Sequence, residues 1–164
     1  MKKVGIVMGS ASDLPVVKKA IDTLVSLDIP YEVHVYSAHR TPDETSDFSS
    51  TAIDRGFGVI IAAAGMAAHL AGVVASRTVL PVIGIPCKST NLEGLDALLS
   101  TVQMPSGIPV ATVAVDGATN AALLAAEILA LGNKDLADKL IAKRKKDAEA
   151  VLSKNAEIEA QFNK

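Results

Sequence analysis

Short runs of β-branched and apolar residues alternate along this chain with longer stretches of helical period, and no other feature constrains the fold as tightly. The runs that read as strands are Val4–Met8, Tyr31–Tyr36, Val59–Ala63, Val82–Ile85 and Val110–Val115. Alternation of this kind builds repeated βαβ units and so a parallel sheet. The third and fourth runs are apolar on both faces, as strands covered by helices on two sides must be.

Between the first two runs, Val17, Ala20, Ile21, Leu24 and Val25 share one helical stripe, with Lys18, Lys19 and Asp22 off it. Pro42-Asp43-Glu44 opens a second helix with acidic residues at the positive end of its dipole. The third crossover runs from Ala67 to about Ser76, the fourth from Glu93 to about Thr101, and the fifth from Asn120 to Leu131, where Gly132-Asn133 reads as a C-cap. Right-handed crossovers then give an α/β fold: a three-layer α/β/α sandwich on a flavodoxin-like parallel five-stranded sheet of order 2-1-3-4-5. A charged helix follows, from Asp135 to about Gln161. We therefore expect one α/β domain over 1–133 and a C-terminal helical extension over 134–164 that packs on a neighbouring subunit.

Composition removes several function classes. With 49% hydrophobic and 21% charged residues the chain has ample apolar surface to offset its conformational entropy, so it folds. A formal net charge of -2 and 3% aromatic residues, with no Trp, supply neither the basic surface nor the stacking platform of a general nucleic-acid binder. Lys143-Arg144-Lys145-Lys146 sits among interleaved acidic residues and reads as a solvated helix face. The near-apolar stretch from Val59 to Ala68 is about half the length that spans a bilayer, and Val4–Met8 is shorter than the apolar core of a signal peptide, so it reads as a strand. The single cysteine, Cys87, forms no internal disulfide and fits a reducing, cytoplasmic setting as a buried inert thiol.

An open parallel sheet binds ligands outside the carboxyl ends of its strands, where the strand order reverses. For order 2-1-3-4-5 the relevant loops are Gly9-Ser10-Ala11-Ser12-Asp13, Ser37-Ala38-His39-Arg40-Thr41-Pro42 and Ala64-Gly65-Met66-Ala67-Ala68-His69. Ser10 and Ser12 stand where a helix begins, a place rich in free backbone donors. Asp13 either caps that helix or accepts hydrogen bonds from sugar hydroxyls. The planar fork of Arg40 suits a phosphate. His39 is the candidate general acid/base, because imidazole both gives and takes a proton near neutral pH. His69 reads equally as a ligand contact or a helix cap, and His34, inside a strand, as structural. Two histidines with Asp13 match no metal-ligand spacing, so no metal is expected.

These loops, in this order, resemble the class I PurE family, the N5-carboxyaminoimidazole ribonucleotide mutases of purine biosynthesis. The matching elements are Met8-Gly9-Ser10-x-Ser12-Asp13, Ser37-Ala38-His39-Arg40-Thr41-Pro42, Ala67-Ala68-His69-Leu70, the run from Val102-Gln103-Met104-Pro105 to Val110, and the run from Asn120 to Ala126. Together they cover about residues 4–131. The resemblance implies an enzyme that moves a carboxylate from the exocyclic nitrogen of an aminoimidazole ribonucleotide to ring carbon 4, with no metal or organic cofactor, in a homo-octamer. It implies His39 as the catalytic acid/base, Ser10, Asp13 and Arg40 as ribonucleotide contacts, and the family's small-residue loop over Ala64 to His69; with the neighbouring loop residues the expected substrate site is Ser10, Ser12, Asp13, Ser37, Ala38, Arg40, Ala64, Gly65 and His69. Where that family commonly has Gly-Ala-Gly-Gly-Ala-Ala-His, this chain has Ala63-Ala64-Gly65-Met66-Ala67-Ala68-His69, so the Ala63 Cβ and the Met66 thioether are expected to narrow the pocket or strain the loop. Alternatives are the class II relatives, which carboxylate aminoimidazole ribonucleotide directly with carbon dioxide, and a flavodoxin-like module that binds a nucleotide without turning it over. Class II members typically carry Ala-His-Lys where this chain has Ala38-His39-Arg40, which favours class I.

Overall fold

The structure is a computed structural model that describes residues 1–163, so the final residue of the 134–164 extension lies outside the described residues. Parallel strands β1 (Lys3–Met8), β2 (Tyr31–Val35), β3 (Phe57–Gly65), β4 (Val82–Cys87) and β5 (Ala111–Thr112) form one sheet of order β2-β1-β3-β4-β5. The intervening helices are α1 (Leu14–Ser26), α2 (Pro42–Thr51), α3 (Leu70–Ala75), α4 (Leu95–Val102) and α5 (Ala118–Ala130), followed by α6 (Lys134–Phe162). The flavodoxin-like order expected from the sequence is the order observed.

The period of two along each strand divides the core. Val4, Ile6, Met8, Val59, Ile61, Ile83 and Ile85 face α1 and α5, while Val7, Ile60, Ala62 and Val82 face the layer of α2 and α3. Full burial of each Ile or Leu side chain contributes about 1.5–3 kcal/mol. β2 is an edge strand and half-exposed, and β3 and β4 are buried almost throughout. Two buried hydroxyls in α2 are satisfied within the helix: Thr45 Oγ1 donates to the Thr41 carbonyl at 2.9 Å and Ser49 Oγ to that of Thr45 at 2.7 Å.

Four local expectations need correction. β5 is shorter than Val110–Val115, although the Val113 and Asp116 amides still reach the carbonyls of Gly84 and Pro86. Pro86 has no N–H to return, and the ladder stops. α3 starts at Leu70 rather than Ala67, because Met66 (φ 52°) and His69 (φ 58°) take left-handed backbone that a helix cannot include. α4 starts at Leu95 for the same reason, after Glu93 (φ 53°) and Gly94 (φ 91°). Asn133 does not end α5; its side chain accepts from the Leu136 amide at 3.1 Å and caps the start of α6.

α6 buries Leu136 and Leu140 against the core and then leaves the domain, with Ile141, Val151, Leu152, Ile158 and Phe162 exposed. Among the described residues no helix is long and apolar enough to cross a membrane.

Candidate functional site

The chain runs from β1 to β2 on one side and then crosses to β3 on the other, so the carboxyl end of β1 is the switch point of the sheet. There the loops after β1, β2, β3 and β4 enclose a cavity of about 640 Å³.

The floor is the β1–α1 loop. Ser10 stands at the start of a single 3-10 turn over Ala11–Asp13. Its Oγ accepts from the Ser12 amide at 3.3 Å and from Ser12 Oγ at 2.8 Å, while Asp13 Oδ2 accepts from the Ser10 amide at 3.2 Å. The carboxylate therefore locks the turn rather than capping α1, with which it makes no side-chain bond. One wall is the β2–α2 loop. The Thr41 amide donates to the Ser37 carbonyl at 2.9 Å, the Ser37 amide to Thr41 Oγ1 at 2.8 Å, and the Arg40 amide to Ser37 Oγ at 3.2 Å. This closed turn holds Ala38 in the lining and puts the His39 and Arg40 side chains at its exposed tip. Arg40 Nη2 donates to the Gly9 carbonyl at 3.3 Å, which ties the guanidinium to the β1 loop, and among the described residues its other side-chain donors make no hydrogen bond.

The back is apolar. Ala64, Gly65, Met66 and Ala68 line it, and Met66 holds a left-handed φ that glycine would adopt without strain. Ala63, expected to narrow the pocket, is instead fully buried in the core on the α1/α5 side of the sheet.

Of the residues expected at the site, Ser10, Ser12, Asp13, Ser37, Ala38, His39, Arg40, Ala64 and Gly65 line this one cavity; His69 does not. Its left-handed backbone turns the ring onto Gly72 and toward α4, where Nδ1 lies 2.5 Å from the Ser100 carbonyl. Nor does it cap α3 through its side chain. His34 stacks on Tyr36, with ring centroids 5.0 Å apart, within the aromatic cluster under α2. Among the described residues no cluster of three His, Cys, Asp or Glu is arranged to hold a metal.

A phosphate-suited guanidinium, an imidazole and a serine turn around a small-residue pocket match the loops on which the sequence resemblance rests. Residues 3–150 match the family model described as AIR carboxylase. The chain belongs to the AIR carboxylase family. Relatives include the N5-carboxyaminoimidazole ribonucleotide mutase of Pyrococcus abyssi, 59% identical over 85% of this chain and 80% of that protein. That of Thermotoga maritima is 51% identical over 97% of this chain and 93% of its own. The solved structure of Treponema denticola PurE superposes with a TM-score of 0.84 at 31% identity, covering 98% of each chain.

Burial pushes the Asp13 carboxyl above the usual carboxylate range, opposed by the Ser10 amide and reinforced by the negative charge of Asp116. The nearby Cys87 thiol is pushed up to about 12, by burial first and then by Asp13 and Asp116. At neutral pH it is a protonated packing group, not a nucleophile.

The sequence reading missed Lys88, Ser89 and Thr90, which line the cavity on its β4 side. They follow β4, and the rule that ligands sit beyond strand carboxyl ends already covers them once the cavity is known to span four strands.

Proposed function

We propose that this chain is an N5-carboxyaminoimidazole ribonucleotide mutase, an isomerase of purine biosynthesis. It converts its substrate to 4-carboxy-5-aminoimidazole ribonucleotide. The observation that carries the reading is the convergence of His39 and Arg40 with the Ser10 turn on one cavity, in a chain whose relatives bear that name.

Arg40 binds the ribonucleotide phosphate as a charge-assisted clamp. Ser10, Ser12 and Ser37 add hydroxyls, and the Asp13 carboxylate accepts from sugar hydroxyls. His39 gives a proton to the exocyclic nitrogen as the N-carboxylate breaks down, releasing carbon dioxide and leaving an electron-rich ring. Carbon 4 attacks the retained carbon dioxide, and His39 takes up the carbon-bound proton, so one imidazole returns to its starting state. Ala64, Gly65 and Ala68 supply a slot without side-chain donors in which carbon dioxide is kept from water. No step requires a metal or organic cofactor.

The exposed apolar stripe of Leu92, Leu95, Leu99 and Val102 and the exposed apolar residues on the distal half of α6 support a homo-oligomer; its size, an octamer, and its place, the cytoplasm, belong to the mutase reading. Light scattering on the purified chain measures the subunit number.

Substrate carrying a carbon-13 label in its N-carboxylate tests the reaction. Transfer of the label to carbon 4 with little loss to added unlabelled bicarbonate supports the mutase. Carboxylation of aminoimidazole ribonucleotide by bicarbonate-derived carbon dioxide, with no use of the N-carboxylate, assigns the chain to the direct carboxylases. A label that stays in place while the ribonucleotide binds leaves only a binding module.

A further inference from the structure

The cavity has a second cationic end that the mechanism above does not use. Lys88 follows β4, and the Arg40 guanidinium is tied to the Gly9 carbonyl after β1, two strands away in the order β1-β3-β4, or about 10 Å. β3 comes between them in the sheet, and the apolar slot at its end, with Asp13, lines the same cavity. On the reading just proposed, the ligand carries negative charge at both ends: a phosphate, which takes Arg40, and a carboxylate on the imidazole.

The backbone of Lys88 is fixed and its side chain is not. Its amide donates to Asp116 Oδ1 at 2.9 Å, and the Asp116 amide in turn donates to the Pro86 carbonyl at 2.9 Å. The ammonium pairs with Glu93, brought back by a turn in which Glu93 and Gly94 both take left-handed backbone. Both side chains are more than half exposed, at 55% and 70%. An ion pair so placed contributes little net stability, and a better-placed anion displaces it readily. The next residue, Ser89, lines the same cavity with a buried Oγ that has no hydrogen-bond partner among the described residues, so the turn already presents one unsatisfied polar group.

We infer that Lys88 is a specificity-determining residue that leaves Glu93 to pair with the substrate carboxylate, so that the site distinguishes carboxylated ribonucleotides from the uncarboxylated one. This rests on the mutase reading. Glu93 is a built-in competitor: it holds the ammonium when the carboxylate is absent and yields it when the carboxylate arrives. Because substrate and product both carry that group and the intermediate does not, the contact favours binding at either end of the reaction.

Calorimetric titration with 4-carboxy-5-aminoimidazole ribonucleotide and with 5-aminoimidazole ribonucleotide tests it. Lys88→Met is expected to weaken the carboxylated ligand roughly tenfold, the loss of one charge-assisted contact, and to change the uncarboxylated ligand less than about twofold. Glu93→Gln is expected to tighten the carboxylated ligand, and that gain should vanish when Lys88→Met is added, which a merely structural role for either residue does not produce. Equal weakening of both ligands by Lys88→Met, or no change in either, overturns the inference. If the unmodified protein binds neither ribonucleotide, the mutase reading fails first and this inference with it.

Discussion

Gly72 in α3 lies directly beneath the His69 ring, and replacing it with alanine would put a Cβ 2.1 Å from Nε2 and 2.2 Å from Cε1. Ordinary contact is about 3.5–4.0 Å, so the ring must move by more than about 1 Å. It is not free to do so, because Nδ1 is held 2.5 Å from the Ser100 carbonyl on α4. Overpacking costs about 1–3 kcal/mol, and loss of the hydrogen bond about 0.5–1.5 kcal/mol. Against these, glycine to alanine within a helix stabilises by about 1 kcal/mol. The balance is a destabilisation of about 2 kcal/mol, or a fall in Tm of about 4–8 °C for a chain of this size. Urea and thermal unfolding of Gly72→Ala measure it. In a His69→Ala background the same substitution should become neutral or stabilising, since the obstructing ring is gone, giving a coupling of about 2–3 kcal/mol in the double-mutant cycle. If Gly72→Ala alone is as stable as the unmodified protein, the ring does not occupy the place described.

Two further perturbations follow from the cavity's charges. The Asp13 pKa is raised in the folded state, so folding binds a proton there more readily than the unfolded chain does. Its contribution to stability is therefore fully present below the unfolded value and lost as pH rises through the folded one. Asp13→Asn keeps an acceptor for the Ser10 amide, removes the half-buried charge, and should raise Tm at neutral pH with a gain that disappears at about pH 3; a loss of Tm at neutral pH would show the charge to be favourable. Cys87, with its pKa at about 12 and its side chain buried, should react with an aromatic disulfide reagent no faster than the protein opens. Rapid labelling of the native protein would contradict that burial.

How far the site was legible in the sequence depended on the range of the interactions that build it. Ser10, Asp13, His39 and Arg40 stand out as polar residues after apolar runs, and their turns are closed by bonds only two to four residues long, such as those of Ser10 with Ser12 and Asp13 and of Ser37 with Thr41. His69 escaped because its direction is set by Ser100, 31 residues away, and by a left-handed backbone angle that no local pattern announces. The Lys88 turn escaped because the width of a cavity depends on side chains from strands that are neighbours only in the folded sheet. The fold itself was legible, since β3 and β4 are buried on both faces and their composition says so. Its misread ends came from single residues acting through geometry: Pro86 withholding a donor beside β5, and Asn133 capping the helix that follows it rather than the one before.

In the proposed mutase one imidazole, at the tip of the β2–α2 turn, moves both protons of the carboxylate migration, and His39→Asn isolates that role. The ring is exposed and outside the core, so the variant should fold and bind 4-carboxy-5-aminoimidazole ribonucleotide with affinity close to that of the unmodified protein. Transfer of the carbon-13 carboxyl label from nitrogen to carbon 4 should fall by at least roughly 10²–10⁴-fold. Transfer at an undiminished rate, with binding intact, would contradict the account.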